Sequence, residues 1–216
     1  MNPYSYAINN DNKQAAFNQL TEAKTRFSAK GWFPGTSGNL SIRVGDILDG
    51  KFAFAVTASG KDKSVNTAED YLLVNEQGLP IEQTTLKPSA ETLIHREIYR
   101  LTGCGAIYHI HTVFNNIVSE LFWEKQHIPV EGIELIKAFN IWEEEAVIHI
   151  PILPNYAEIP RIAALIAERI IPRIPGFVIH KHGVCAWGDN AFDAKRHLEA
   201  FEFLFEYMYR RKTCGM

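Results

Sequence analysis

The chain has 216 residues, 46% of them hydrophobic and 22% charged, the balance of a folded globular protein and not of a disordered or collagen-like one. Its 22 basic and 25 acidic side chains leave a net charge of −3, which argues against a strongly basic nucleic-acid-binding protein. Cys104, Cys185 and Cys214 form no CxxC pair, no stretch reaches the ~20 apolar residues of a membrane helix, and the polar start carries no apolar run. The expectation is one domain over 1–216 in a reducing cytoplasm, with neither membrane nor nucleic acid as partner.

Near the start, Ala16, Leu20, Ala23 and Phe27 recur at helical spacing until Gly31 supplies a stop. Short β-rich runs follow at 39–44, 52–57 and 71–74, punctuated by the turn signals Gly45-Asp46, Ser59-Gly60 and Gln77-Gly78. The segment Lys87-Pro88-Ser89-Ala90-Glu91 opens a helix, with Ser89 as its predicted N-cap and Ile94, Ile98 and Leu101 on one face. A strand over 106–111 leads into another helix from Thr112. Strands at 146–150 and 177–180 bracket a helix marked by Ile159, Ile162, Ile166 and Ile170, which Pro172 ends. Ala194, Leu198, Phe201, Phe205 and Met208 form an apolar stripe on a last, charged helix. Strands mixed with helices predict an α/β fold with helices covering a central sheet. Several strands lie close together without a helix between them, so the sheet is expected to be mixed.

The strongest chemical signal is Tyr108-His109-Ile110-His111. Residues two apart on a strand share a face, so His109 and His111 present two imidazoles side by side, a pair suited to a divalent metal such as zinc. A second strand end, Ile179-His180-Lys181-His182-Gly183, repeats the pattern, with His180 and His182 expected to share a face and to supply a third ligand. Three protein ligands with open positions describe a catalytic rather than a structural metal site. His95, His127, His149 and His197 stand alone.

Two glycine-rich turns, Pro34 to Ser41 and Thr57 to Lys63, offer backbone amides and hydroxyls to an anion, with Lys61 or Lys63 adding charge. Ser89 at a helix start adds a third donor. Together they suggest a phosphorylated substrate. For proton transfer the candidates are Glu91, at a helix start, and Glu134, flanked by apolar residues; Glu143-Glu144-Glu145 reads as a solvated run.

Taken in order, the segments GWFPGTSGNLSIR, TASGKDK, KPSAET, YHIHTVFNN, EGIELIKAF, IHIPILPN and HGVCAWG resemble the class II aldolase/adducin-like family, over roughly 16–208. Within that family they are most similar to dehydratases. The resemblance implies a three-layer α/β/α sandwich with a mixed central sheet and one zinc ion per subunit held by His109, His111 and His182. It implies that Glu134 is the acid/base, as in the dehydratases, whereas the related aldolases carry theirs at the position of Glu91. Phosphate binding would fall to Asn39, Ser59, Gly60 and Ser89, with Lys61 close by, and the substrate would be a small phosphorylated ketose. Family members are typically tetramers with active sites near subunit interfaces. A sugar-phosphate aldolase and a non-catalytic adducin-like module are the competing readings, the second having no need of three imidazoles.

Overall fold

The computed structural model describes residues 8–215. In chain order its main elements are α1 (Asn10–Ala29), β1 (Asn39–Leu48), β2 (Lys51–Thr57), β3 (Tyr71–Asn75), α2 (Thr92–Thr102), β4 (Ala106–Ile110) and α3 (Val113–Leu121). There follow β5 (His127–Glu131), β6 (Val147–Leu153), α4 (Ile159–Arg169), β7 (Gly176–Ile179), β8 (Gly183–Gly188) and α5 (Ala191–Thr213). Short 3-10 turns occupy Pro34–Thr36, Trp123–Lys125 and Glu134–Phe139.

The strands form one sheet in the order β3-β2-β1-β4-β8-β7-β6-β5. Only β6 and β7 run parallel; every other pairing is antiparallel, so the sheet is mixed, as expected. Alternation along the strands builds a core on each side of it. On β4, Ala106, Tyr108 and Ile110 join Leu20 and Phe27 of α1, Val118 of α3 and Leu198, Phe201 and Phe205 of α5. Ile107, one residue out of phase, joins Ile94 and Ile98 of α2 and Ile162 and Ile166 of α4 on the other side. The result is the three-layer sandwich. His109 has the parity of Ile107, so its ring emerges in the α2 layer, where the first turn of that helix meets it.

Several strand and helix bounds depart from the sequence reading. β5 and β8 are additional strands: His127–Glu131 is a short edge strand interrupted by Pro129, and Gly183–Gly188 pairs with both β4 and β7. β1 extends beyond the predicted end, through an irregularity between Val44 and Leu48 where Gly45 takes φ +76°. α4 ends at Arg169, one residue before the last predicted isoleucine.

Ser89 is not the cap of α2. That helix starts at Thr92, with Glu91 in the N-cap place and no side-chain capping bond. Ser89 instead lends its carbonyl to the Thr92 N–H (3.1 Å) and hydroxyl (2.6 Å), while its own N–H donates to the Thr57 carbonyl (3.1 Å). By contrast α3 starts where predicted, because Thr112 and Asn115 cap each other's backbone N–H groups reciprocally.

Candidate metal centre

Three histidines, two from the end of β4 and one from the β7–β8 turn, converge with Glu91. His109 and His111, on either side of the end of β4, lie with ring centroids 4.7 Å apart, and the ring of His182, in the turn between β7 and β8, lies 5.1 and 4.6 Å from them. The Glu91 carboxylate reaches in from the start of α2, 2.9 Å from His182 Nε2 and 3.3 Å from His109 Nε2. One ligand atom from each of the four lies within 4.8 Å of the others. Two glycines make this approach possible. A Cβ on Gly183 would sit 2.4 Å from the Ile110 carbonyl, 2.7 Å from a His109 ring carbon and 2.8 Å from a His111 ring carbon. A Cβ on Gly38, in the turn before β1, would meet the His109 carbonyl at 2.7 Å.

The donor chemistry suits a cation. His109 Nδ1–H donates to the Val184 carbonyl (3.0 Å), with Cys185 Sγ also beside it (3.2 Å), which leaves the Nε2 lone pair facing the cluster. His182 Nδ1 is tied in the same manner to Asn155 Oδ1 (3.2 Å). Burial pushes the His109 imidazole down to about 4 and, with the neighbouring His109 and His182, the His111 imidazole down to about 2. Both are therefore neutral near pH 7, the form that binds metal. Burial would raise the Glu91 carboxyl, but the imidazoles of His109, His182 and His111 outweigh it and hold the group well below the usual carboxylate range. Asn39 Nδ2 donates to Glu91 as well. His109 and His111 Nε2 face one another at 2.8 Å. Such closeness of lone pairs is relieved by a shared cation, and a set of three imidazoles and one carboxylate suits zinc, with iron, cobalt or nickel as chemically acceptable substitutes.

His180 does not join the cluster. Lys181 takes a left-handed backbone (φ +52°), so His180 and His182 belong to a turn rather than a strand, and the expected shared face does not exist. The His180 ring instead stacks on Trp123 at 4.1 Å and 9°, its Nε2 buried without a hydrogen-bond partner. The glycine-rich turn at Ser59 and Gly60 is stitched to the segment before α2. The Ser59 N–H donates to the Lys87 carbonyl (2.8 Å) and Ala58 bridges to Pro88, so Ser59 and Ser89 stand on adjoining chains. Lys61 is half-buried and paired with Glu69 (2.5 Å), whereas Lys63 is buried and donates to the Thr36 carbonyl (2.7 Å). Glu134 opens the Glu134–Phe139 turn with its side chain 83% exposed and paired with Lys137 (2.9 Å). It lines a groove with Ile133, Trp142 and Glu143 that contains none of the three histidines.

The sequence reading missed one residue behind the site. Glu202 of α5 is buried and accepts from the Thr112 hydroxyl (2.7 Å) and from Asn115 Nδ2 (2.9 Å), bracing the residue that follows His111. Its burial pushes the carboxyl up to about 7. The signal was present: a glutamate between Phe201 and Phe205 interrupts an otherwise apolar stripe. Among the described residues no helix is long and apolar enough to cross a membrane.

Residues 18–209 match the Class II Aldolase and Adducin N-terminal domain, and the chain belongs to that family. A methylthioribulose-1-phosphate dehydratase of Persephonella marina is 47% identical over 94% of this chain and 93% of its own. The enzyme of that name from Bacillus subtilis is 49% identical over 93% and 95%. Among solved structures, YgbL of Klebsiella pneumoniae superposes with a TM-score of 0.76 at 22% identity, covering 92% of this chain and 90% of that one. An L-fuculose-1-phosphate aldolase of Thermus thermophilus superposes with a TM-score of 0.67 at 22% identity, over 92% and 95%. At that identity the two structures speak for the fold alone.

Proposed function

We propose that this member of the class II aldolase and adducin family is a metal-dependent dehydratase. It converts 5-methylthioribulose 1-phosphate to 5-methylthio-2,3-dioxopentyl phosphate and water, a step of methionine salvage. The observation that carries this reading is the convergence of three imidazoles and an ionised carboxylate in a chain about half identical to dehydratases of that name. His109, His111 and His182 would hold one zinc ion per subunit. The bound ion supplies Lewis-acid polarisation of the substrate ketone, which makes the hydrogen on the neighbouring carbon acidic.

The chain's own residues supply the rest. Glu91 is the nearest base: buried, ionised and held by Asn39, it takes the hydrogen from the carbon beside the ketone. The hydroxyl on the next carbon leaves, and the enol that remains tautomerises to the diketone. Glu134 projects into solvent, outside the cluster of its own chain. We assign it to the site of an adjoining copy in a cytoplasmic homotetramer, where it protonates the departing hydroxyl. The phosphate is held by the turns at Asn39, Ser59, Gly60 and Ser89; Lys63 is better placed than Lys61 to neutralise it, being buried with a single backbone partner.

Turnover assays with metal analysis test the assignment. Glu91→Gln and Glu134→Gln should each keep bound metal and lose about 10²–10⁴-fold in turnover. Unchanged turnover in either removes that glutamate from the mechanism. Release of a short phosphorylated fragment instead of water would favour carbon–carbon cleavage, the aldolase reading.

A further inference from the structure

We infer that Val113 and Ile117 of α3, with Pro34, form the seat for the methylthio end of the substrate, and so set the preference for a thioether-bearing ketose phosphate. This rests on the dehydratase reading and goes beyond it by orienting the substrate. The two sides of the imidazole cluster differ in chemistry. On one side are Asn39, Glu91, the paired turns at Ser59 and Ser89, and the buried ammonium of Lys63, close enough to act electrostatically on both Glu91 and His111. Ser37, beside them in sequence, keeps a buried hydroxyl with no hydrogen-bond partner. That side gathers the hydroxyls of Ser37, Ser59 and Ser89 around a buried ammonium and suits a phosphate.

On the other side His111 and His182 line a cleft of about 640 Å³ with Pro34, Val113 and Ile117. Its one charged side chain, Lys181, is engaged by Glu120 at 2.7 Å. Asn116, also in its wall, is committed to the His182 and Thr112 carbonyls (2.9 Å each). With Lys181 and Asn116 engaged and Asn155 Oδ1 held by His182 Nδ1, the cleft offers an incoming group the apolar side chains of Pro34, Val113 and Ile117. Val113 is 69% exposed at the first position of its helix, a large apolar side chain with nothing from its own chain covering it. With phosphate on the donor-rich side and the ketone at the imidazoles, the opposite end of a five-carbon chain is left facing this cleft. A methylthio group is the apolar end that such a seat rewards.

Steady-state kinetics of Val113→Asp test this directly. An acidic residue is favourable in the first turn of a helix and the position is exposed, so the variant should fold and keep its metal content. KM for methylthioribulose 1-phosphate should rise about ten-fold, with kcat within two-fold of wild type, since losing a small apolar contact costs roughly a factor of ten or more. Inhibition by ribulose 1-phosphate, which carries a hydroxyl in place of the thioether, should not weaken by more than two-fold. A KM that stays put, or equal losses for both compounds, overturns the seat while leaving the dehydratase intact. If the wild-type protein fails to turn over the thioether substrate at all, the dehydratase reading fails and takes the seat with it.

Discussion

The chain contains two His-X-His segments, and their four imidazoles have different fates. In the first, His109 is the penultimate residue of a central strand and His111 follows its end, so period-two alternation aims both rings at one point. In the second, Lys181 bends the chain into a left-handed turn, and only His182 reaches the cluster; His180 goes to Trp123. Identical spacing in sequence thus delivers two rings to the cluster from a strand and only one from a turn. The backbone on which the spacing is read decides the outcome.

The largest effect tests this contrast directly. His182→Ala should abolish stoichiometric metal binding and lower kcat/KM by at least about 10³-fold, whereas His180→Ala should retain metal and lose only about 1–2 kcal/mol of stability with the ring stack. Metal analysis beside thermal melts checks both, and metal loss in the His180 variant would contradict the division of roles. Next comes the residue that lets the two segments touch. Gly183→Ala places a methyl group against the Ile110 carbonyl and two ligand rings, and the expected cost is about 10–100-fold in metal affinity, read by chelator competition.

The first segment is also braced from behind, through Thr112 to Glu202. The carboxyl's folded pKa lies above the ordinary value of 4.5, at about 7. Its contribution to stability is therefore complete below about 4.5 and is lost as pH rises through about 7. Denaturation of wild type and Glu202→Gln across pH 4–8 should differ in slope in that window, the wild type losing about 1–3 kcal/mol that the variant keeps. Parallel curves would show that the buried carboxyl does not titrate there. Smallest is Lys181→Gly, which relieves the left-handed residue of the second segment and should raise stability by about 1 kcal/mol in a melt, with metal content unchanged.

Much of the fold was readable one element at a time. The stripes that became α1, α4 and α5, and the strand carrying His109, follow from apolar periodicities that each segment holds within itself. β5 and β8 were harder to see. The first alternates in burial but is only five residues long and carries Pro129 at its middle, which argues against a strand; the second is buried on both faces and shows no alternation. Ser89 shows a different limit: the Pro-Ser-X-Glu pattern marks a helix start, yet the bridge to Thr57 draws Ser89 out of the helix and moves that start to Thr92.

At the site, the histidines and Glu91 could be picked out from the amino-acid chain because metal chemistry limits which side chains serve. Residue type and local period are properties of neighbours along the chain, and those were settled before folding. Whether Glu91 meets the rings, whether His180 belongs with His182, and which lysine is buried depended on how β1, β4, β8 and the start of α2 are brought together. Contacts between segments tens of residues apart arise only when the sheet assembles, and no local pattern encodes them.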